Sequence, residues 1–188
     1  MMKRQVMQAG TDALRLTLPE LRHLELYWSD TTLLMDDDSF QGCGKLRVLC
    51  IAQHIQQQPR PCTLTMTPRC LAPLTAMKTL IYMNCALDGV PPAVACLGAS
   101  LTSLTLVTNR SLQLGEADKS VLLQLHRLRK LDVRKSITSS DPDKAAGAWN
   151  ESSIQILIDL PGLLMARHGV TLDVAFASSQ VSVYFTQW

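Results

Sequence analysis

The apolar positions of this chain fall into short recurring groups that keep neither a helical nor a strand period for long. From residue 77 to residue 97, MKTLIYMNCALDGVPPAVACL places apolar side chains at Met77, Leu80, Tyr82, Cys85, Leu87, Val90, Val94 and Leu97. A helix repeats its buried face every three or four residues and a strand every two, and here the two intervals are mixed. The Leu80-x-Tyr82 alternation predicts a short strand with two side chains inward. The stretch VPPAVACL predicts a return segment, helical or irregular.

The group recurs along the chain. It is found as Leu21, Leu24, Leu26; as Leu46, Leu49, Ile51; as Leu101, Leu104, Leu106 with Asn109 after it; and as Leu128, Leu131, Val133. A weaker last copy has Gly169 where the first leucine is expected, then Leu172 and Val174. Leu24 to Leu49 spans 25 residues, Leu80 to Leu104 spans 24 and Leu104 to Leu131 spans 27. In a chain that is 47% hydrophobic a single triple arises easily by chance, but repetition at these intervals does not.

This pattern, LxxLxLxx(N/C)xL, resembles the leucine-rich repeat. The resemblance implies an α/β fold: a curved leucine-rich repeat solenoid whose units each add one strand to a parallel concave sheet and return outside it. A unit alone leaves one face uncovered, so stacked units bury a shared core. Cys85 or Asn109 is then expected at the ladder position beneath the turn. A second return segment is expected in EADKSVLLQLHRL, where Val121, Leu122 and Leu125 have helical spacing. The reading makes 1–188 one domain, with repeats over 19–135 and the last repeat and C-terminal cap over 154–188. Residues 1–18 form an N-terminal cap or the remnant of a preceding repeat.

Three stretches depart from the pattern. Leu49 to Leu80 spans 31 residues and contains PCTLTMT, whose alternation predicts a strand at Leu64 and Met66. Residues 62–67 are therefore either an abbreviated repeat or a strand inserted into one long repeat. Residues 136–153, SITSSDPDKAAGAWNESS, are small and polar and predict a surface loop with room for one helical turn after Pro142. At the C-terminus, alternation on both sides of Ser178-Ser179-Gln180 predicts a hairpin that shields the last open face.

Composition narrows the function. The formal charge of +2 over 188 residues gives no field that would gather nucleic acid or an anionic membrane. The N-terminus has Lys3 and Arg4 but no apolar run of signal-peptide length, and no window is apolar enough to span a bilayer, so a soluble protein is expected. Six cysteines, Cys43, Cys50, Cys62, Cys70, Cys85 and Cys96, form no CxxC pair. They are expected as free, mostly buried thiols in a reducing compartment, most simply the cytoplasm. Two glycosylation sequons, at Asn109 and Asn150, mean little without a signal peptide.

No catalytic, cofactor or metal chemistry emerges. The segment QGCGKL, residues 41–46, lacks phosphate-loop spacing and is expected to be a turn entering the strand at Leu46. Asp36, Asp37 and Asp38 lack the glycine turn of a calcium loop and are expected in a solvated loop. His23 and His126 sit among ordinary repeat residues, and His168 precedes Gly169 at an expected helix end. The register places Cys50 on the exposed side of its strand as an unactivated thiol.

What remains is a surface. The register displays His23, Glu25 and Tyr27; Val48, Cys50 and Ala52; Thr79, Ile81 and Met83; Ser103, Thr105 and Val107; and Lys130, Asp132 and Arg134 on the concave sheet. Its middle is uncharged, with Met able to adapt its shape and Tyr27 or Trp28 as anchors. Residues 20–38 carry Glu20, Glu25, Asp30, Asp36, Asp37 and Asp38 against Arg22 alone, whereas 127–135 carry Arg127, Arg129, Lys130, Arg134 and Lys135 against Asp132. The expected function is a non-catalytic scaffold that binds a protein partner, as an adaptor or as a structural subunit, through Tyr27, Trp28, Val48, Ile81, Met83, Thr105, Val107, Lys130 and Arg134. The alternative is RNA or ribonucleoprotein contact through the basic edge at 127–135, with few aromatics to stack on bases.

Overall fold

The computed structural model describes residues 4–8, 14–28, 32–53, 63–108, 112–135, 150–177 and 182–185. Among the described residues there are ten strands: β1 Arg4–Gln8, β2 His23–Trp28, β3 Leu33–Met35, β4 Val48–Gln53, β5 Leu64–Met66, β6 Thr79–Cys85, β7 Ser103–Thr108, β8 Lys130–Lys135, β9 Asp173–Ala177 and β10 Ser182–Phe185. Eight of them form one sheet in the order β1-β2-β4-β6-β7-β8-β9-β10. Every pairing in it is parallel except β9 with β10. The fold is therefore α/β with a mostly parallel sheet that follows chain order.

The inward positions set the register. Leu24 pairs with Leu49, Leu49 with Leu80, Leu80 with Leu104 and Leu104 with Leu131. All five are 0% exposed, and the strands β2 and β7 alternate strictly between half-buried and buried residues. Before β2, β4, β6 and β8 the chain makes a matching turn, in which Leu21 N–H donates to Leu18 O, Leu46 to Cys43, Met77 to Leu74 and Leu128 to Leu125; before β7 the bond from Leu101 reaches one residue further, to Leu97. These turns return the chain to the sheet edge with the next apolar residue already inward.

The return segments form the second layer. Between β6 and β7 runs a 3-10 helix, Pro92–Leu97; between β7 and β8, helix α1, Glu116–Leu122; between β8 and β9, helix α2, Glu151–His168. Their buried residues, among them Val94, Leu97, Leu122, Leu157, Leu160 and Leu164, join the sheet leucines in one continuous core. At roughly 25 cal/mol per Å² of apolar area, this shared core is the main stabilising term. No helix among the described residues is long and apolar enough to cross a membrane.

Several expectations are refined. Strand β5 lies outside the main sheet and pairs in parallel with β3, an unexpected strand of the preceding return segment. The main sheet therefore passes from β4 straight to β6, and residues 64–66 are an insertion in a long connection. Residues 4–8 are a strand of the main sheet; the sequence hid it because Gln5 pairs with Leu24 where a leucine would signal the repeat. In the last copy, Val174 and Phe176, not Leu172 and Val174, pair with Leu131 and Val133. Leu172 is nevertheless buried, ahead of the strand.

The expected loop over 136–153 ends earlier than the composition suggests. Residues 136–149 lie outside the described residues, while Glu151–Ser153 open α2. Asn150 caps that helix, its Oδ1 accepting from Ser153 N at 2.7 Å. Gly169 closes it at φ 64°, a left-handed position that glycine fills without strain. The helix ends at His168-Gly169, as expected, and runs on through Pro161 inside it. The C-terminal hairpin is present as β9 and β10, with its turn outside the described residues.

Candidate protein-interaction surface

The sheet face opposite the core is built from the residues that alternate with the buried leucines. Across it, Glu25, Cys50, Ile81, Thr105 and Asp132 lie side by side, as do Tyr27, Ala52, Met83, Val107 and Arg134. Adjacent strands are about 4.8 Å apart, so side chains in each row touch their neighbours. Ile81, Thr105, Val107 and Val48 are half-buried, and Met83 is 39% exposed, the most exposed large apolar side chain on this face.

Three expected positions are corrected. Cys50 is buried at 7% and Ala52 at 2%, because each is small and lies between larger neighbours: Glu25 and Ile81 for the thiol, Tyr27 and Met83 for the methyl. Burial, assisted by Glu25, pushes the Cys50 thiol up to about 11, so it is a protonated floor residue and not a reactive thiol. Trp28, expected as an anchor, is 1% exposed. It follows Leu24 and Leu26 on the inward parity of β2, and its indole Nε1 has no acceptor among the described residues.

The charged ends of the face are locally satisfied. On β2, Glu25 is hydrogen-bonded to His23 Nε2 at 3.0 Å and accepts from Tyr27 Oη at 3.2 Å. On β8, Arg134 donates from Nε to Asp132 Oδ1 at 2.7 Å and from Nη2 to Oδ2 at 2.5 Å. Asp132 is buried by this fork, while Arg134 and Lys130 remain exposed. The acidic stretch 20–38 is likewise offset by residues distant in sequence: Lys45 pairs with Glu20 at 2.5 Å, and Arg15 lies 3.9 Å from both Asp36 and Asp38. Asp30 lies outside the described residues.

The other candidate chemistries resolve into structure. Residues 41–46 are turn, with Cys43 Sγ donating to Leu16 O. Asp36 accepts from the amide of Asp38 and from Ser39 Oγ, and Asp37 accepts from Thr67 Oγ1, so the acidic run closes a turn and links two return segments. Cys85 occupies the position beneath the turn, with its Sγ donating to Ile51 O at 3.4 Å; Asn109 lies outside the described residues. His168 hydrogen-bonds to Leu123 O through Nε2, and its ring lies 4.5 Å from that of His126. The described cysteines are free; Cys43, Cys50, Cys70 and Cys85 are buried and Cys96 is exposed. Among the described residues no group of three or more His, Cys, Asp or Glu is placed to hold a metal ion.

The arrangement offers an apolar strip bordered by neutralised polar groups, suited to excluding water against a matching surface. No protein-family model matches the chain, and no curated protein matches it.

Proposed function

We propose that the chain is a leucine-rich repeat module that binds a protein partner, without catalysis, through the uncharged strip of its concave sheet. The repeat reading is supported by the sheet order that follows chain order, by the recurring LxxLxL residues in the core and by the matching turns before β2, β4, β6 and β8. The functional reading rests on one observation: Ile81, Met83 and Val107 lie together on β6 and β7, uncharged and accessible, with Thr105 beside Ile81 and Val48 beside Thr79 on the same face. An apolar centre ringed by polar groups is the anatomy of a protein interface, and Met adapts its shape to a partner. In this reading the module is an adaptor or a structural subunit in a reducing intracellular compartment, with its thiols free.

The test is Met83→Asp. A charge desolvated in an interface without a partner costs several kcal/mol, so binding should fall about 100-fold or more. The variant should keep the wild-type circular dichroism spectrum and lose the principal protein recovered by affinity purification, whereas Ile158→Asp on the outer side of α2 should retain it. Retention of that partner by folded Met83→Asp protein overturns the proposal. RNA contact through Arg127, Arg129 and Lys130, all exposed, is the second reading. It requires affinity that falls steeply with salt.

A further inference from the structure

A row of basic side chains runs along the edge of the sheet where the strands begin. In five units the residue directly after the first apolar position is Arg22, Arg47, Lys78, Thr102 and Arg129. The fold stacks these five. The amide of Arg47 donates to Arg22 O at 2.9 Å, Lys78 to Arg47 at 2.8 Å, Thr102 to Lys78 at 2.9 Å and Arg129 to Thr102 at 2.9 Å. With strands about 4.8 Å apart, the row extends about 19 Å and has one neutral gap, at Thr102.

The four cations are exposed, and none of them pairs with a carboxylate among the described residues. Lys78 Nζ donates to Ser100 O at 3.3 Å. Of the acids beside the row, Glu20 is held by Lys45, and Asp173 stands one step beyond Arg129, its amide donating to Arg129 O at 2.8 Å. Like charges one strand apart repel, so the row destabilises the free protein slightly and is relieved by an anionic partner.

We infer that this row docks an acidic α-helix of a partner protein that carries one carboxylate per turn on a single face. The spacing favours this occupant. A helix advances about 5.4 Å per turn against about 4.8 Å per strand, a drift that long Arg and Lys side chains absorb over four steps. The row is one residue wide, like a single helical stripe. Single-strand nucleic-acid sites add aromatic stacking platforms to a basic groove, and the residues that follow the row, His23, Val48, Thr79, Ser103 and Lys130, include no Phe, Tyr or Trp. Three of the four cations are Arg, whose fork matches a carboxylate. Ile81 lies three residues along its strand from Lys78, about 10 Å away, so the row and the uncharged strip are separate surfaces.

The test uses two helical peptides of equal composition, one with glutamates at i, i+4, i+7, i+11 and i+14 and one with them spread round the helix. An oligouridylate serves as the nucleic-acid probe, and binding is followed by fluorescence anisotropy at about 50 and about 200 mM salt. The striped peptide should bind about 10-fold tighter than the scattered one, weaken with salt and be lost in the Arg22→Glu, Arg47→Glu double variant. It should be unaffected by Met83→Asp, which separates this proposal from the preceding one. Thr102→Lys, which fills the gap, should tighten the striped peptide about 3-fold, on the scale of one exposed ion pair, a gain that misfolding cannot mimic. Equal affinity for the two peptides, tighter binding of the oligouridylate, or no gain in Thr102→Lys overturns the inference.

Discussion

The connection from Leu49 to Leu80 is 31 residues long and the one from Leu80 to Leu104 is 24, yet both deliver the next strand to the same register. The difference is taken up outside. In the shorter unit the 3-10 helix packs tightly on the next return: a Cβ at Gly98 would meet Gln124 O at 2.4 Å, and Val90 N–H donates to Asp118 Oδ1 at 2.6 Å. In the longer unit β5 pairs only with β3, and Leu64 and Met66 are half-buried. The inward leucines thus fix the sheet, while the outer layer absorbs variation in length in the half-exposed strand β5, ahead of the buried Cys70, Leu71 and Leu74.

Leu80→Ala strikes what the two units share and should have the largest effect, a loss of about 2–5 kcal/mol in denaturant unfolding. Thr105→Ala, across the strand on the outward parity, should stay within about 0.5 kcal/mol. Equal losses would break the register. Gly98→Ala sharpens the contrast between the units. Its methyl meets backbone, so a loss of about 1–3 kcal/mol is expected. Gly44→Ala faces the longer connection, with its nearest neighbour, Pro73 O, at 3.7 Å, and should be close to neutral in the same measurement.

Asp118→Ala leaves the amides of Val90 and Gly115 without their acceptor and should cost about 1–2 kcal/mol. Asp37→Ala removes an exposed acceptor, supplied by the preceding return segment, from Thr67 of the longer unit and should cost less than about 1 kcal/mol. Similar melts for the two variants would erase the distinction between the buried contact of the shorter unit and the exposed one beside β5.

The smallest effect is chemical. Burial raises the thiols of Cys70 and Cys85 to about 12 and that of Cys50 to about 11, from an ordinary 9.0. The folded chain keeps protons that the unfolded chain releases, so their contribution to stability is full below pH 9 and is lost as pH rises towards these values. Thermal melts should therefore fall on the alkaline side. Near neutral pH, mass spectrometry after brief maleimide treatment should find Cys96 modified before Cys50, Cys70 or Cys85.

Both alternation and recurrence are local properties, and they make the inward residues legible: Leu24, Leu49, Leu80, Leu104 and Leu131 fall on one face by their spacing alone. The hairpin and the turn at residues 41–46 are legible for the same reason. Local spacing thus settles where the repeat strands lie and which way their side chains point, because side-chain parity needs only the period of two. Trp28 obeys that parity too, and therefore packs into the core and is not a surface anchor. The pairing of β3 with β5, the burial of Cys50 and Ala52 between larger neighbours, and the neutralisation of acids at 20–38 by Arg15 and Lys45 arise only when the chain packs on itself. So does the stacking of Arg22, Arg47, Lys78 and Arg129. Each of these depends on residues brought together across strands, at distances that no local period encodes.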